Sequence, residues 1–202
     1  IIFDMTSFYA ESGGQVGDQG LITSKECEAS IQTVKKTNNI FIHFGKIKKG
    51  ILRVGSLVKT KVSSSFRMRT NSNHTATHLL QSALKLLIDS SVSQRGSLVA
   101  SDRLRFDFNA PKPLTTNQLK DMEVRINQWI NEDHPIQIKI MPIKEALEAG
   151  ALAMFGEKYG EVVRVIDVPG VSMELCGGTH VTSTSQLGTF KIISETGIAS
   201  GI

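Results

Sequence analysis

Apolar residues fall in two regimes along the chain. Up to about residue 65 they come in short runs broken by glycine: Gly13, Gly14, Gly17 and Gly20 punctuate the opening, and Gly45, Gly50 and Gly55 space out later segments. Residues 29–34 alternate in part around Ile31. Asn38-Asn39 marks a tight turn into a strand at 40–44, and 57–62 is again strand-like. Many short strands with glycine turns predict a small barrel-like sheet. Ser63-Ser64-Ser65 is the candidate junction.

Beyond it the period lengthens. Ala76, Leu79, Leu80, Ala83, Leu84 and Leu87 fall at helical spacing, with Asn73 as the expected cap of a helix ending near Ile88. Strands are expected at 96–100 and 103–108; in the second, Leu104, Phe106 and Phe108 face opposite to Arg103, Arg105 and Asp107. Thr115 with Gln118 forms a capping box ahead of a helix that puts Leu119, Met122, Ile126, Trp129 and Ile130 on one face. An alternating strand carries Ile136, Ile138 and Ile140. Pro142 opens a short helix that stops at Gly150, and 161–168 and 187–193 complete the strands. The pattern gives an α+β fold: a barrel-like subdomain over residues 1–65 and a two-layer core over 66–202.

Composition excludes some classes. Hydrophobic residues make up 40% of the 202, and no run approaches a membrane span. Two cysteines, Cys27 and Cys176, are too few for a disulfide framework, so a reducing, cytoplasmic setting is expected. The chain starts inside a strand-like run without an initiator methionine, as a segment of a longer protein would. The net charge of +4 is unevenly spread, with no Asp or Glu between Ala29 and Ile88. Lys46, Lys48, Lys49, Arg53, Lys59, Lys61, Arg67 and Arg69 all lie in that stretch, a footprint suited to nucleic-acid phosphates.

The chemistry centres on two segments. His74-Thr-Ala-Thr-His78 puts two imidazoles on one helical face, and Cys176-Gly-Gly-Thr-His180 brings a thiol and a third imidazole together across flexible glycines. Three nitrogens and one sulfur suit tetrahedral Zn²⁺. Three of the five histidines fall into this set. His43 and His134 have no such company and are expected in structural roles. The helix lacks the glutamate of His-Glu-x-x-His, and the deaminase pattern is absent. Four protein ligands usually close a site, whereas a catalytic metal needs an open position. The loop around Ser12-Gly13-Gly14-Gln15 could lie close to a ligand, and Gln94 could hydrogen-bond a carbonyl or a water.

Six segments then occur in order: Phe8-Tyr9-Ala10-Glu11-Ser12-Gly13-Gly14-Gln15, Asn73-His74-Thr75-Ala76-Thr77-His78-Leu79-Leu80, Gln94 with Gly96-Ser97, Leu104-Arg105-Phe106-Asp107-Phe108, Phe155-Gly156-Glu157-Lys158-Tyr159-Gly160 and Glu174-Leu175-Cys176-Gly177-Gly178-Thr179-His180. Together they resemble the editing region of alanyl-tRNA synthetases, shared with the stand-alone AlaX proteins. The resemblance runs from about Phe3 to the last residue, and the family usually continues past Ala199-Ser200-Gly201-Ile202. It implies Zn²⁺ on His74, His78, Cys176 and His180. It implies hydrolysis of Ser-tRNA(Ala) and Gly-tRNA(Ala), with Thr77 and Gln94 catalytic and Gly13, Gly14, Gln15 and Gly177 against the substrate. The acceptor end of tRNA(Ala) and the remainder of a synthetase chain are the implied partners. The editing domain of threonyl-tRNA synthetases, a zinc module that only binds RNA, and a general zinc hydrolase are the competing readings.

Overall fold

A computed structural model describes residues 1–154, 159–199 and 202. Phe155, Gly156, Glu157 and Lys158 of the fifth segment above, and Ser200 and Gly201 of the last four residues, lie outside the described residues.

The first lobe is one antiparallel sheet of β1 (Gly20–Thr23), β2 (Cys27–Thr37), β3 (Ile40–Gly50) and β4 (Lys59–Val62), in the order β3-β2-β1-β4. The sheet is open, not a closed barrel: β3 and β4 are its two edges and do not pair among the described residues. Strand β3 also runs straight through Gly45 to Gly50, where the glycines suggest separate segments. Gly45 is needed because its backbone presses against β2; an added Cβ would overlap the Ser30 carbonyl. Asn38 and Asn39 take φ of 48° and 65° and close the β2–β3 hairpin, as asparagine's tolerance of the left-handed region allows. The partial alternation in β2 has a cause. Ile31 and Val34 both face inward although three residues apart, and a register shift between Ile31 and Thr33 resets the phase. Phe8, Ala10, Ile22, Cys27 and Ala29 fill the same core. His43 is buried there, its Nε2 2.8 Å from Thr6 Oγ1.

The second lobe begins with α1 (Ser64–Leu87). This helix starts nine residues before Asn73, the expected cap, because tertiary bonds hold its polar first turns: Arg67 to Asp18, Asn71 Nδ2 to the His180 carbonyl, and Asn73 Nδ2 to the Ala100 carbonyl. Hairpin β5 (Gln94–Val99) and β6 (Leu104–Phe108) and helix α2 (Thr116–Asn131) pack against its second half. The Thr115–Gln118 capping box forms in both directions, and Met122, Ile126, Trp129 and Ile130 are buried against Leu79, Ala83 and Leu84.

A three-stranded sheet, β7 (Gln137–Pro142), β8 (Val162–Val168) and β9 (Ser172–Leu175), packs on α3 (Ile143–Glu148) through Val163, Val165, Leu175 and Ala146. On edge strand β7 the alternation is real, yet Ile138 and Ile140 are 57% and 66% exposed. The expected strand at 187–193 is absent. Residues 184–187 form a 3₁₀ turn, and α2 side chains take the backbone donors that follow: Phe190 N–H donates to Asn127 Oδ1 (2.9 Å) and Ile192 N–H to Glu123 Oε1 (2.7 Å). A strand needs a ladder partner, and here helix side chains have that role. No helix among the described residues is long and apolar enough to cross a membrane.

Candidate metal centre

Helix α1 presents His74 and His78 one turn apart, both buried. The loop after β9 brings Cys176 and His180 to the same point, and one donor atom from each of the four lies within 4.8 Å of the others. Cys176 Sγ is 3.5 Å from His74 Nε2 and 3.3 Å from His180 Nε2. Tetrahedral zinc, with Zn–N about 2.1 Å and Zn–S about 2.3 Å, sets nitrogen and sulfur roughly 3.6 Å apart. The donor set and its spacing therefore fit a single zinc-sized ion.

The outward nitrogens of the three rings face acceptors from three parts of the chain. His74 Nδ1 donates to Gln15 Oε1 (2.7 Å), which leaves Nε2 unprotonated and facing Cys176, available to a metal. His180 Nδ1 is 3.0 Å from Thr75 Oγ1. His78 Nδ1 is 3.7 Å from Glu174 Oε2 and otherwise without a hydrogen-bond partner. Burial keeps the rings neutral, as ligands must be: it pushes His78 down to about 3 and His74 and His180 well below the usual imidazole range. The same desolvation raises the Glu174 carboxyl to about 8 and the Cys176 thiol to about 11. Ions of either sign are costly in this pocket without a metal to balance them.

Arg164, set among Val162, Val163 and Val165 on β8, shapes the loop by donating to the carbonyls of Cys176 (2.8 Å) and Gly178 (2.7 Å). A guanidinium amid valines was the available signal for it. Nothing local in the sequence announces Glu174, Thr75 or Gln15 as partners of the ligands.

Thr77 is buried between the two ligands on α1, its Oγ1 donating to the Asn73 carbonyl at 2.8 Å. Gln94 opens β5, and its Nε2 donates to Ser97 Oγ at 3.1 Å. Gly14 lies against Ser97 with φ of 81°, and the backbone of Gly14 and Val16 pairs with Val99, so this loop is stitched to Gln94's strand. Gln15 is fully buried. A cavity of about 460 Å³ lies between the lobes and reaches His74 and Cys176; Tyr9, Gly13, Met154, Tyr159 and Gly177 help to line it, whereas Thr77 and Gln94 do not. Lys46, Lys48 and Lys49 sit exposed on β3 and Lys59 and Lys61 on β4, at opposite edges of the first sheet. Arg53 pairs with Glu26, Arg67 with Asp18, and Arg69 is exposed on α1.

Residues 1–66 match the family of class II (A) tRNA synthetases, and residues 163–202 match the second additional domain of threonyl and alanyl tRNA synthetases. Over all 202 residues the chain is 76% identical to an alanine–tRNA ligase of Prochlorococcus marinus (strain NATL1A), 58% to that of Microcystis aeruginosa and 57% to that of Synechococcus elongatus. It spans 23% of the length of each of these relatives. The second match contains Cys176 and His180, and the whole chain aligns with alanine–tRNA ligases at up to 76% identity: the chain belongs to the alanyl-tRNA synthetase family, as a segment that includes its second additional domain.

Proposed function

We propose that this segment hydrolyses the aminoacyl ester of tRNA(Ala) wrongly charged with serine or glycine. The observation that carries the reading is the three-histidine, one-cysteine cluster, spaced for zinc, in a chain of this family. A pocket sized for alanine separates it from glycine or serine by only ~1–3 kcal/mol, so a second, hydrolytic site is required.

His74, His78, Cys176 and His180 would hold the zinc. A zinc held there would supply a Lewis acid to the ester on opening a fifth position. Thr77 spends its hydroxyl proton on the Asn73 carbonyl, which leaves its oxygen to accept from a serine hydroxyl that alanine lacks. Gln94 turns its Nε2 to Ser97 and offers Oε1 to orient the attacking water. Gly13 and Gly177 line the cavity that reaches Cys176, and a substrate carbonyl can approach their backbones closely because no side chain stands in the way. Gly14 shares that loop. The exposed cations of β3, β4 and α1 face the acceptor-end phosphates, with Arg53 and Arg67 held by their carboxylates. The two units divide near residue 65, where α1 begins and the first family match stops. The rest of the synthetase chain is the partner, and a reducing cytoplasm suits a free Cys176.

The test is deacylation of Ser-tRNA(Ala) and Gly-tRNA(Ala) beside Ala-tRNA(Ala), with Gln94→Ala and Cys176→Ala. Loss of serine and glycine but not alanine, reduced in both variants, supports the reading. A second reading, a zinc module that only binds RNA, draws on the cavity's not being lined by Thr77 or Gln94. Tight tRNA binding with no deacylation of any ester would favour it.

A further inference from the structure

Gln15 belongs to the first lobe, yet every polar atom of its side chain is engaged at the metal centre of the second. Its Oε1 accepts from Thr179 N–H (2.9 Å) and from His74 Nδ1–H (2.7 Å), and its Nε2 donates to Thr179 Oγ1 (2.8 Å). The Thr179 N–H can only donate, so it fixes which end of the amide is the oxygen. That oxygen in turn fixes the His74 tautomer. The residue is fully buried, and 59 positions separate it from His74.

From these contacts we propose that Gln15 is a positioning residue that completes the metal centre from the neighbouring lobe, so that metal affinity depends on docking of the Ser12-Gly13-Gly14-Gln15 loop. The inference rests on the zinc reading of the four ligands. It assigns Gln15 to the ligand shell through His74, where the sequence suggests contact with substrate.

The surroundings are built for this docking. Gly14 runs against Ser97, and Gln15 pairs by a β-bridge with Val99, so the loop cannot shift without leaving β5. Gly178 has no side chain on the side where Gln15 and His74 meet; a Cβ there would overlap the His74 ring and come within 2.8 Å of Gln15 Oε1. Asp18, three residues on, anchors the same loop to Arg67 of α1. An acceptor on the far nitrogen of a ligating histidine orients the ring and raises its basicity, and its removal typically costs ~10–100-fold in metal affinity.

The experiment is zinc affinity by chelator competition, with Co²⁺ substitution as a spectroscopic readout, for the wild-type chain, Gln15→Met and Gln15→Glu. Methionine keeps the volume and removes the acceptor; glutamate keeps two acceptor oxygens, one for His74 and one for the Thr179 hydroxyl. The expected result is a ~10–100-fold weaker site in Gln15→Met, wild-type or tighter binding in Gln15→Glu, and a shifted Co²⁺ d–d spectrum in both. Equal affinity and unshifted spectra in all three overturn the inference while leaving the zinc reading intact. A wild-type chain that takes up no zinc removes both. Should Gln15→Met not fold, Gln15→Glu decides, since an unshifted cobalt spectrum there overturns the inference.

Discussion

Arg67 of α1 lays its guanidinium on Asp18 of the first lobe, and Asp18 is 1% exposed. The same carboxylate accepts the Tyr9 N–H at 2.7 Å, and Arg67 also donates to the Ser7 carbonyl. One buried acid thus ties the chain on either side of the Gly13-Gly14 loop to the helix that bears His74 and His78. Removing the cation strands a buried carboxylate, so Arg67→Ala is expected to lower stability by about 3 kcal/mol, read as a shifted denaturation midpoint. A change below ~0.5 kcal/mol, typical of surface sites, would show the pair to be incidental.

The β3 lysines should behave in the opposite way. Lys46, Lys48 and Lys49 are exposed and have no carboxylate within ion-pairing distance among the described residues. Alanine at Lys46 or Lys48 is expected to leave stability within ~0.5 kcal/mol. It should weaken tRNA binding evenly across sequences and cut the slope of log K against log salt by ~1. An unchanged slope would exclude β3 from the proposed tRNA contacts.

Gly178→Ala is expected to disturb the metal centre with little effect elsewhere. Its backbone is not among those with positive φ, so the new methyl brings no torsional strain, only overlap with His74 and crowding of Gln15. The checks are metal stoichiometry and melting temperature with and without chelator. A variant that holds zinc as tightly as wild type would mean the loop yields more easily than this packing implies.

The metal-free protein should show a pH dependence traceable to Glu174. Its carboxyl sits at about 8 when folded, against an ordinary value of 4.5, so the folded state binds the proton more tightly than the unfolded chain. That contribution is complete below about pH 4.5 and is lost as pH rises to about 8. A glutamine amide at this position cannot ionise. Glu174→Gln should therefore gain stability over wild type, in chelator, progressively across that window, and the gain should level off above it. The buried histidines run the other way: their lowered values stabilise the fold above about 6.5 and withdraw that support on acidification. A stability difference independent of pH would place Glu174 in solvent.

Sequence and structure agree where one short segment determines its own conformation. Thr115 and Gln118 cap each other within one turn, and Thr115→Ala should cost about 1 kcal/mol in thermal or chemical denaturation. Asn38-Asn39 turns for a similarly local reason. The four-residue cluster is legible because each pair sits on its own short motif. The start of α1 is not, since Phe66, Met68 and their polar neighbours lack an apolar stripe and are held by Asp18 and by the carbonyls of Ala100 and His180. The bond from Gln15 to His74 is equally hidden, because it exists only once two lobes have met.

The cluster is synthesised in two instalments, His74 and His78 first, Cys176 102 residues after His74. At a synthesis rate of about 5–20 residues per second, a growing chain carries two unpartnered histidines on a nascent helix for roughly 5–20 s before the thiol exists. Closure of the four-residue cluster therefore waits for the loop that follows β9. A ribosome stalled within that interval releases a product whose longest helix is made but whose histidines have nothing to close upon.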